Sequence, residues 1–134
     1  MRIQRAESPA LLNGQEAARR FFAPYLEAED PSRECLWVAH VDGETRCLQV
    51  ECYEGDSTSV GIPIRDIIVD AVRLGSAGIV LAHNHPSGEA HPSEADHRAT
   101  RKLAIALESV DIMLLDHLIF ANGRWSSMRR MGLV

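Results

Sequence analysis

Four residues suited to metal or acyl chemistry stand in one short stretch: His83, His85, Ser93 and Asp96, within "VLAHNHPSGEAHPSEAD". The apolar run leading into it, "AGIVLAHNH", is bounded by Gly78 and Pro86 and suits a central strand buried on both faces. Alternate residues of a strand point to opposite faces, so His83 and His85 project to one side and Asn84 to the other. The carboxyl end of such a strand is where open α/β sheets commonly place ligands. Ser93 and Asp96 form S-x-x-D at the start of the next helical stretch, which is good capping chemistry on its own. A cap leaves the two co-facial histidines unexplained, so the stretch reads as cap and site together. Two neutral imidazoles and one carboxylate, with a fourth position left to water, form the ligand set of a catalytic zinc site rather than a closed structural one. Ligand type alone leaves iron and manganese open. The pattern H-x-H-x7-S-x2-D fixes four positions, and its chance occurrence in a chain of this length is on the order of one in several thousand.

The elements that must position these residues follow from periodicity. A helix is expected over roughly Asn13 to Glu27, with Ala17, Phe21, Phe22, Tyr25 and Leu26 as its apolar stripe and Pro24 as a point of kinking. "CLWVAHVDG" and "RCLQVECY" read as a hairpin turned at Asp42-Gly43. "GDSTSVG" reads as a loop, and "PIRDIIVDAVRLG" as a helix from Pro63 to Gly75, with Arg65-Asp66 as a helix-start pair. After the central strand, Ser93 to Val110 is helical, and "IMLLDHLIFANGRWSSM" gives two strands around Asn122-Gly123. The order α-β-β-α-β-α-β-β predicts an α/β fold, a mixed central sheet with flanking helices.

One domain, 1–134, is expected for 134 residues without repeat, low-complexity tract or linker. An excess of 19 acidic over 14 basic residues, net −5, argues against nucleic acid and anionic membrane as partners. The pairs Arg101-Lys102 and Arg129-Arg130 lack interleaved aromatics and read as solvated surface. No window is long and apolar enough to span a bilayer, and the start "MRIQRAESPALL" lacks the features of a signal peptide, so a cytoplasmic protein is expected. Cys35, Cys47 and Cys52 lie in strand-like apolar surroundings and read as buried reduced thiols.

The H-x-H-x7-S-x2-D pattern is similar to the JAMM (MPN+) metalloprotease motif, and "AHNHPSGEAHPSEAD" resembles the RadC-like version of that JAB domain almost residue for residue. The likeness runs from about Arg33 to the C-terminus through "RE", "AGIVLAHNHPSG", "LLDHLIF" and "SSMRRMGL". It divides the chain into an N-terminal helical segment, 1–32, and a core, 33–134, and implies a JAB/MPN, cytidine deaminase-like architecture. RadC-like proteins usually carry a further N-terminal helical segment suggestive of DNA binding. With some thirty residues before the core, no room is expected for it here, and the historical DNA-repair label transfers poorly. The resemblance implies Zn2+ as cofactor, with His83, His85 and Asp96 as metal ligands and Ser93 supporting the developing oxyanion. It also demands an upstream glutamate bonded to the metal-bound water. By position this is Glu34, although Glu44, Glu51, Glu54 and Asp66 also lie upstream. Asp116-His117 matches the family's "LDH" and offers a partner for a ligand or a structural hydrogen bond.

The implied chemistry is that of a zinc-dependent metallopeptidase. Zinc lowers the pKa of its water to about 7, Glu34 takes the proton and returns it to the leaving amine, and Ser93 helps to stabilise the oxyanion. That is amide or isopeptide hydrolysis, with a peptide or ubiquitin-like protein as substrate. Ubiquitin itself is not expected, because the connections are short. His91 is expected in solvent, His97 directed away, and His40 in the core or at a sheet edge. Asn84 and Ser87 shape the turn after the strand or touch substrate. A zinc nucleoside deaminase would need H-x-E and P-C-x-x-C, both absent. An HNH nuclease fits neither the acidic charge nor the long buried strand. The rival reading is a non-catalytic MPN-type interaction module. An exposed hairpin edge could also pair two copies in a homodimer.

Overall fold

The computed structural model describes residues 10–54 and 61–134, and the backbone of residues 2–4. In chain order the elements are β1 (Arg2–Gln4), α1 (Gln15–Glu27), β2 (Cys35–Val41), β3 (Cys47–Glu54), α2 (Ile64–Leu74), β4 (Gly78–Asn84), α3 (Glu94–Glu108), β5 (Met113–Ala121) and β6 (Arg124–Ser127). Every element expected from periodicity is present, within two residues at most ends. The loop expected at 55–61 lies outside the described residues except for Gly61. The N-terminal segment holds a strand, β1, besides its helix; three residues are too few for alternation to announce a strand.

The strands form one six-stranded sheet in the order β1-β3-β2-β4-β5-β6. All neighbours are antiparallel except β4 and β5, which run parallel. A parallel pair needs a crossover connection, and α3 supplies it. The two hairpins close on turns that their sequences prescribe. At the first, Asp42 Oδ1 accepts from the Glu44 and Arg46 N–H groups, both at 2.9 Å. At the second, Asn122 and Gly123 both adopt positive φ, 49° and 74°, as the tight turn with right-handed strand twist requires.

The sheet is covered on both faces, which is why β4 in its centre is apolar almost throughout. On one face Phe22 and Ala18 of α1 pack on Trp37, Ala39, Val80, Ala82 and Leu118, with Tyr25 and Trp37 rings 4.7 Å apart. On the other, Ile67 and Ala71 of α2 and Leu103 and Leu107 of α3 pack on Leu36, Val38, Ile79 and Leu81. Burying a large apolar side chain contributes about 1.5–3 kcal/mol, so these two layers supply most of the drive to fold. The split follows the alternation of β4: Ile79 and Leu81 point toward α2 and α3, Val80 and Ala82 toward α1.

Candidate metal centre

Continuing that alternation, His83 falls on the α3 side. His85 lies one residue past the strand, yet its N–H still donates to Phe120 O at 2.9 Å, so the chain remains extended along β5. The two imidazoles end on the same side with ring centroids 4.7 Å apart. Asp96 comes to them from α3. His85 Nε2 is 2.8 Å from Asp96 Oδ2, and His83 Nε2 is 3.5 Å from Asp96 Oδ1. Asp96 is held there by its own helix start: Ser93 N–H donates to Asp96 Oδ2 at 2.8 Å, and Asp96 N–H donates to Ser93 Oγ at 3.0 Å. The capping box is formed in full, and it aims a carboxylate at the histidines.

Glu34 enters from β2. Because β2 is antiparallel to β4 with Leu36 opposite His83, the residues just before β2 lie beside those just after β4. Ligand atoms of Glu34, His83 and His85 all fall within 4.8 Å of one another. Asn84, on the opposite face from His83, brackets this glutamate. Its Nδ2 donates to Arg33 O at 2.7 Å and its Oδ1 accepts from Cys35 N–H at 2.8 Å, one bond on either side of residue 34. Asn84 therefore ties two strand ends together. Of the other upstream acids, Glu51 is buried against His40 at 2.7 Å, Glu44 sits in the β2–β3 turn, and Asp66 is exposed on α2.

Glu34, His83, His85, Ser93, Asp96 and His117 line a cavity of about 450 Å³ at this end of the sheet. A larger cavity, about 680 Å³, lies against α3 and β5, with Ile105, Ile112 and Leu114 in its wall and no histidine or cysteine. The candidate ligands line the smaller one. Glu29, Cys35 and Glu54 also approach within 4.8 Å of one another, but without an imidazole. His91 is exposed and His97 lies on α3 outside the cavity wall. The three cysteines are buried and outside any disulfide, as expected.

The hydrogen bonds behind the histidines bear on what the cavity can hold. His85 Nδ1 is 2.7 Å from Glu89 O, and a carbonyl only accepts, so Nδ1 carries a hydrogen and Nε2 faces Asp96. A hydrogen bond to Asp96 holds His85 above the ordinary imidazole value, against the opposing effect of burial. Burial acts to raise Asp96, but the two imidazoles outweigh it and hold the carboxyl well below the usual carboxylate range. Among the described residues His83 Nε2 is buried without a hydrogen-bond partner, and it points toward the same carboxylate. An orphaned buried nitrogen costs about 1–3 kcal/mol unless something fills the gap. Two imidazole nitrogens and a carboxylate converging on one spot fit a borderline divalent cation, zinc first.

A family model for the RadC-like JAB domain matches residues 12–133. The chain belongs to the RadC-like JAB domain family. The match begins before α1, so this helix is part of the RadC-like domain, as its packing on the sheet also requires. The chain is 33% identical over 133 residues to a UPF0758 protein of Aliivibrio fischeri (strain MJ11), covering 98% of this chain and 58% of that protein. It is 38% identical over 106 residues to one of Vibrio vulnificus (strain YJ016), covering 78% and 47% respectively. A third, from Vibrio parahaemolyticus serotype O3:K6, is 37% identical over 124 residues, 92% of this chain and 54% of the relative. This RadC-like domain thus spans about half the length of the curated relatives it matches. Among the described residues no helix is long and apolar enough to cross a membrane.

Proposed function

We propose that this RadC-like JAB domain is a zinc-dependent hydrolase that cleaves an amide or isopeptide bond in a peptide or a ubiquitin-like protein. The observation that carries the reading is the buried, unpartnered His83 Nε2 turned with His85 Nε2 toward Asp96. His83, His85 and Asp96 would hold the ion, which when bound supplies a Lewis acid and an acidified water. Glu34, beside both histidines, accepts the water proton on its carboxylate and passes it to the leaving amine. Ser93 Oγ accepts the Asp96 N–H through its oxygen and keeps its own hydrogen, which it donates to the oxyanion of the substrate carbonyl. Glu89 O holds the His85 ring in the orientation that presents Nε2. Three buried cysteines outside any disulfide accord with a reducing compartment, and we assign the cytoplasm.

The test joins metal analysis to one substitution. The purified chain is expected to bind zinc stoichiometrically on titration and to cleave at least one member of a fluorogenic peptide and isopeptide panel. Glu34→Gln is expected to keep zinc and lose turnover by about 10²–10⁴-fold. No zinc uptake by the wild type overturns the metal reading. Full turnover in Glu34→Gln overturns the proton-carrier role, and loss of zinc in it makes Glu34 a ligand.

A further inference from the structure

Behind His83 lies a row of hydrogen bonds that the hydrolytic scheme does not use. His83 Nδ1 is 2.6 Å from His117 Nε2, and His117 Nδ1 is 2.7 Å from Thr100 Oγ1. The placement is imposed by the fold. Parallel pairing sets His117 of β5 opposite Leu81 of β4, on the same face and one pleat below His83. Thr100 lies one turn beyond Asp96 on α3, on the stripe that continues into Leu103 and Leu107. His83, Thr100 and His117 are all buried.

Two ring nitrogens at this distance share one hydrogen, and the row has two settings. In one, the Thr100 hydroxyl donates to Met128 Sδ, 3.8 Å away, and its oxygen accepts from His117 Nδ1–H. His117 Nε2 then accepts from His83 Nδ1–H, and His83 Nε2 presents a bare lone pair to the cavity. In the other, the hydroxyl donates to His117 Nδ1, His117 Nε2–H donates to His83 Nδ1, and His83 Nε2 must carry a hydrogen. Both rings are neutral in either setting, so the row shifts hydrogens without moving net charge. The second setting buries an N–H that is 3.5 Å from Asp96 Oδ1, too far for a good bond. The first satisfies every hydrogen and leaves bare the atom a cation would take.

We propose that Thr100 and His117 are positioning residues that hold His83 in the Nδ1–H tautomer, so that its Nε2 lone pair is committed to metal before metal arrives. The inference rests on the metal-binding reading above and adds the control of that site from behind. Valine has the shape of threonine but cannot accept from His117 Nδ1–H; serine can.

Zinc affinity of the full chain is measured by competition with a chromophoric chelator, and ring tautomers by ¹⁵N NMR of histidine-labelled, metal-free protein. Thr100→Val is expected to weaken zinc binding about tenfold or more and to move the His83 hydrogen from Nδ1 to Nε2. Thr100→Ser is expected to restore both. Wild-type affinity with an unchanged tautomer in Thr100→Val overturns this inference alone. A wild-type His83 that carries its hydrogen on Nε2 overturns it without any variant. Failure of the wild type to take up zinc overturns the functional reading and this inference together.

Discussion

Asp96 Oδ2 accepts from Ser93 N–H and lies 2.8 Å from His85 Nε2, so one oxygen both ends a helix and faces the candidate metal site. Stability and chemistry are therefore coupled at residue 93. Ser93→Ala is expected to cost about 1 kcal/mol, read as a shift of the denaturation midpoint, together with a fall in turnover of about 10²–10³-fold. A shift in the midpoint with turnover intact would leave Ser93 a cap and nothing more. A quieter residue gives a pH test. Burial pushes the Cys47 thiol up to about 11 from an ordinary 9.0. Between those values the unfolded chain gives up this proton and the folded one keeps it, so the folded state binds more protons and loses stability as pH rises. Only the thiolate alkylates, so iodoacetamide is expected to leave folded Cys47 unlabelled at pH 8, checked by peptide mass spectrometry.

At the scale of elements, the site is a meeting of ends. The end of β4 brings the histidines, the start of β2 brings Glu34, and the first turn of α3 brings Ser93 and Asp96. Asn84 fastens two of these ends through its bonds to Arg33 O and Cys35 N–H while its side chain faces away from the cavity. Removing it frees the strand entry that carries Glu34 but touches none of the candidate ligands His83, His85 and Asp96. Asn84→Ala is therefore expected to retain zinc affinity and to lose turnover by on the order of 10²-fold, since small misplacements of a reacting group have such costs. Equal losses in affinity and turnover would make Asn84 a support of the whole site. The helix α3 serves twice along one stripe: Asp96 at the cavity and Thr100 behind it on His117, then Leu103 and Leu107 in the core.

At the scale of the molecule, a sheet covered on both faces keeps β4 rigid, and rigidity is what a preorganised site needs. Leu81 is fully buried two residues before His83 and packs toward α2 and α3. Leu81→Ala is expected to destabilise by about 2–5 kcal/mol in guanidinium denaturation, through lost transfer energy and the cavity left behind. A cost below about 1 kcal/mol would mean that the neighbouring layers close over the gap.

What the sequence determined by itself was everything governed by a local period. Alternation along β4 put His83 and His85 on one side, helical spacing drew α1, α2 and α3, and S-x-x-D marked the start of α3. The three-residue β1 escaped because the pairing that defines it is with β3, nearly fifty residues away. Glu34 could be chosen from the sequence only by its likeness to a family. The physical reason for its place is the antiparallel register that sets Leu36 opposite His83. His117 could be marked as a ligand's partner only by the same likeness, while the role of Asn84, the pairing of His117 with His83 and its extension to Thr100 were decided by tertiary structure. They depend on the parallel register of β4 with β5 and on which face of α3 docks, and such adjacency is created by packing between distant segments rather than by any spacing along the chain.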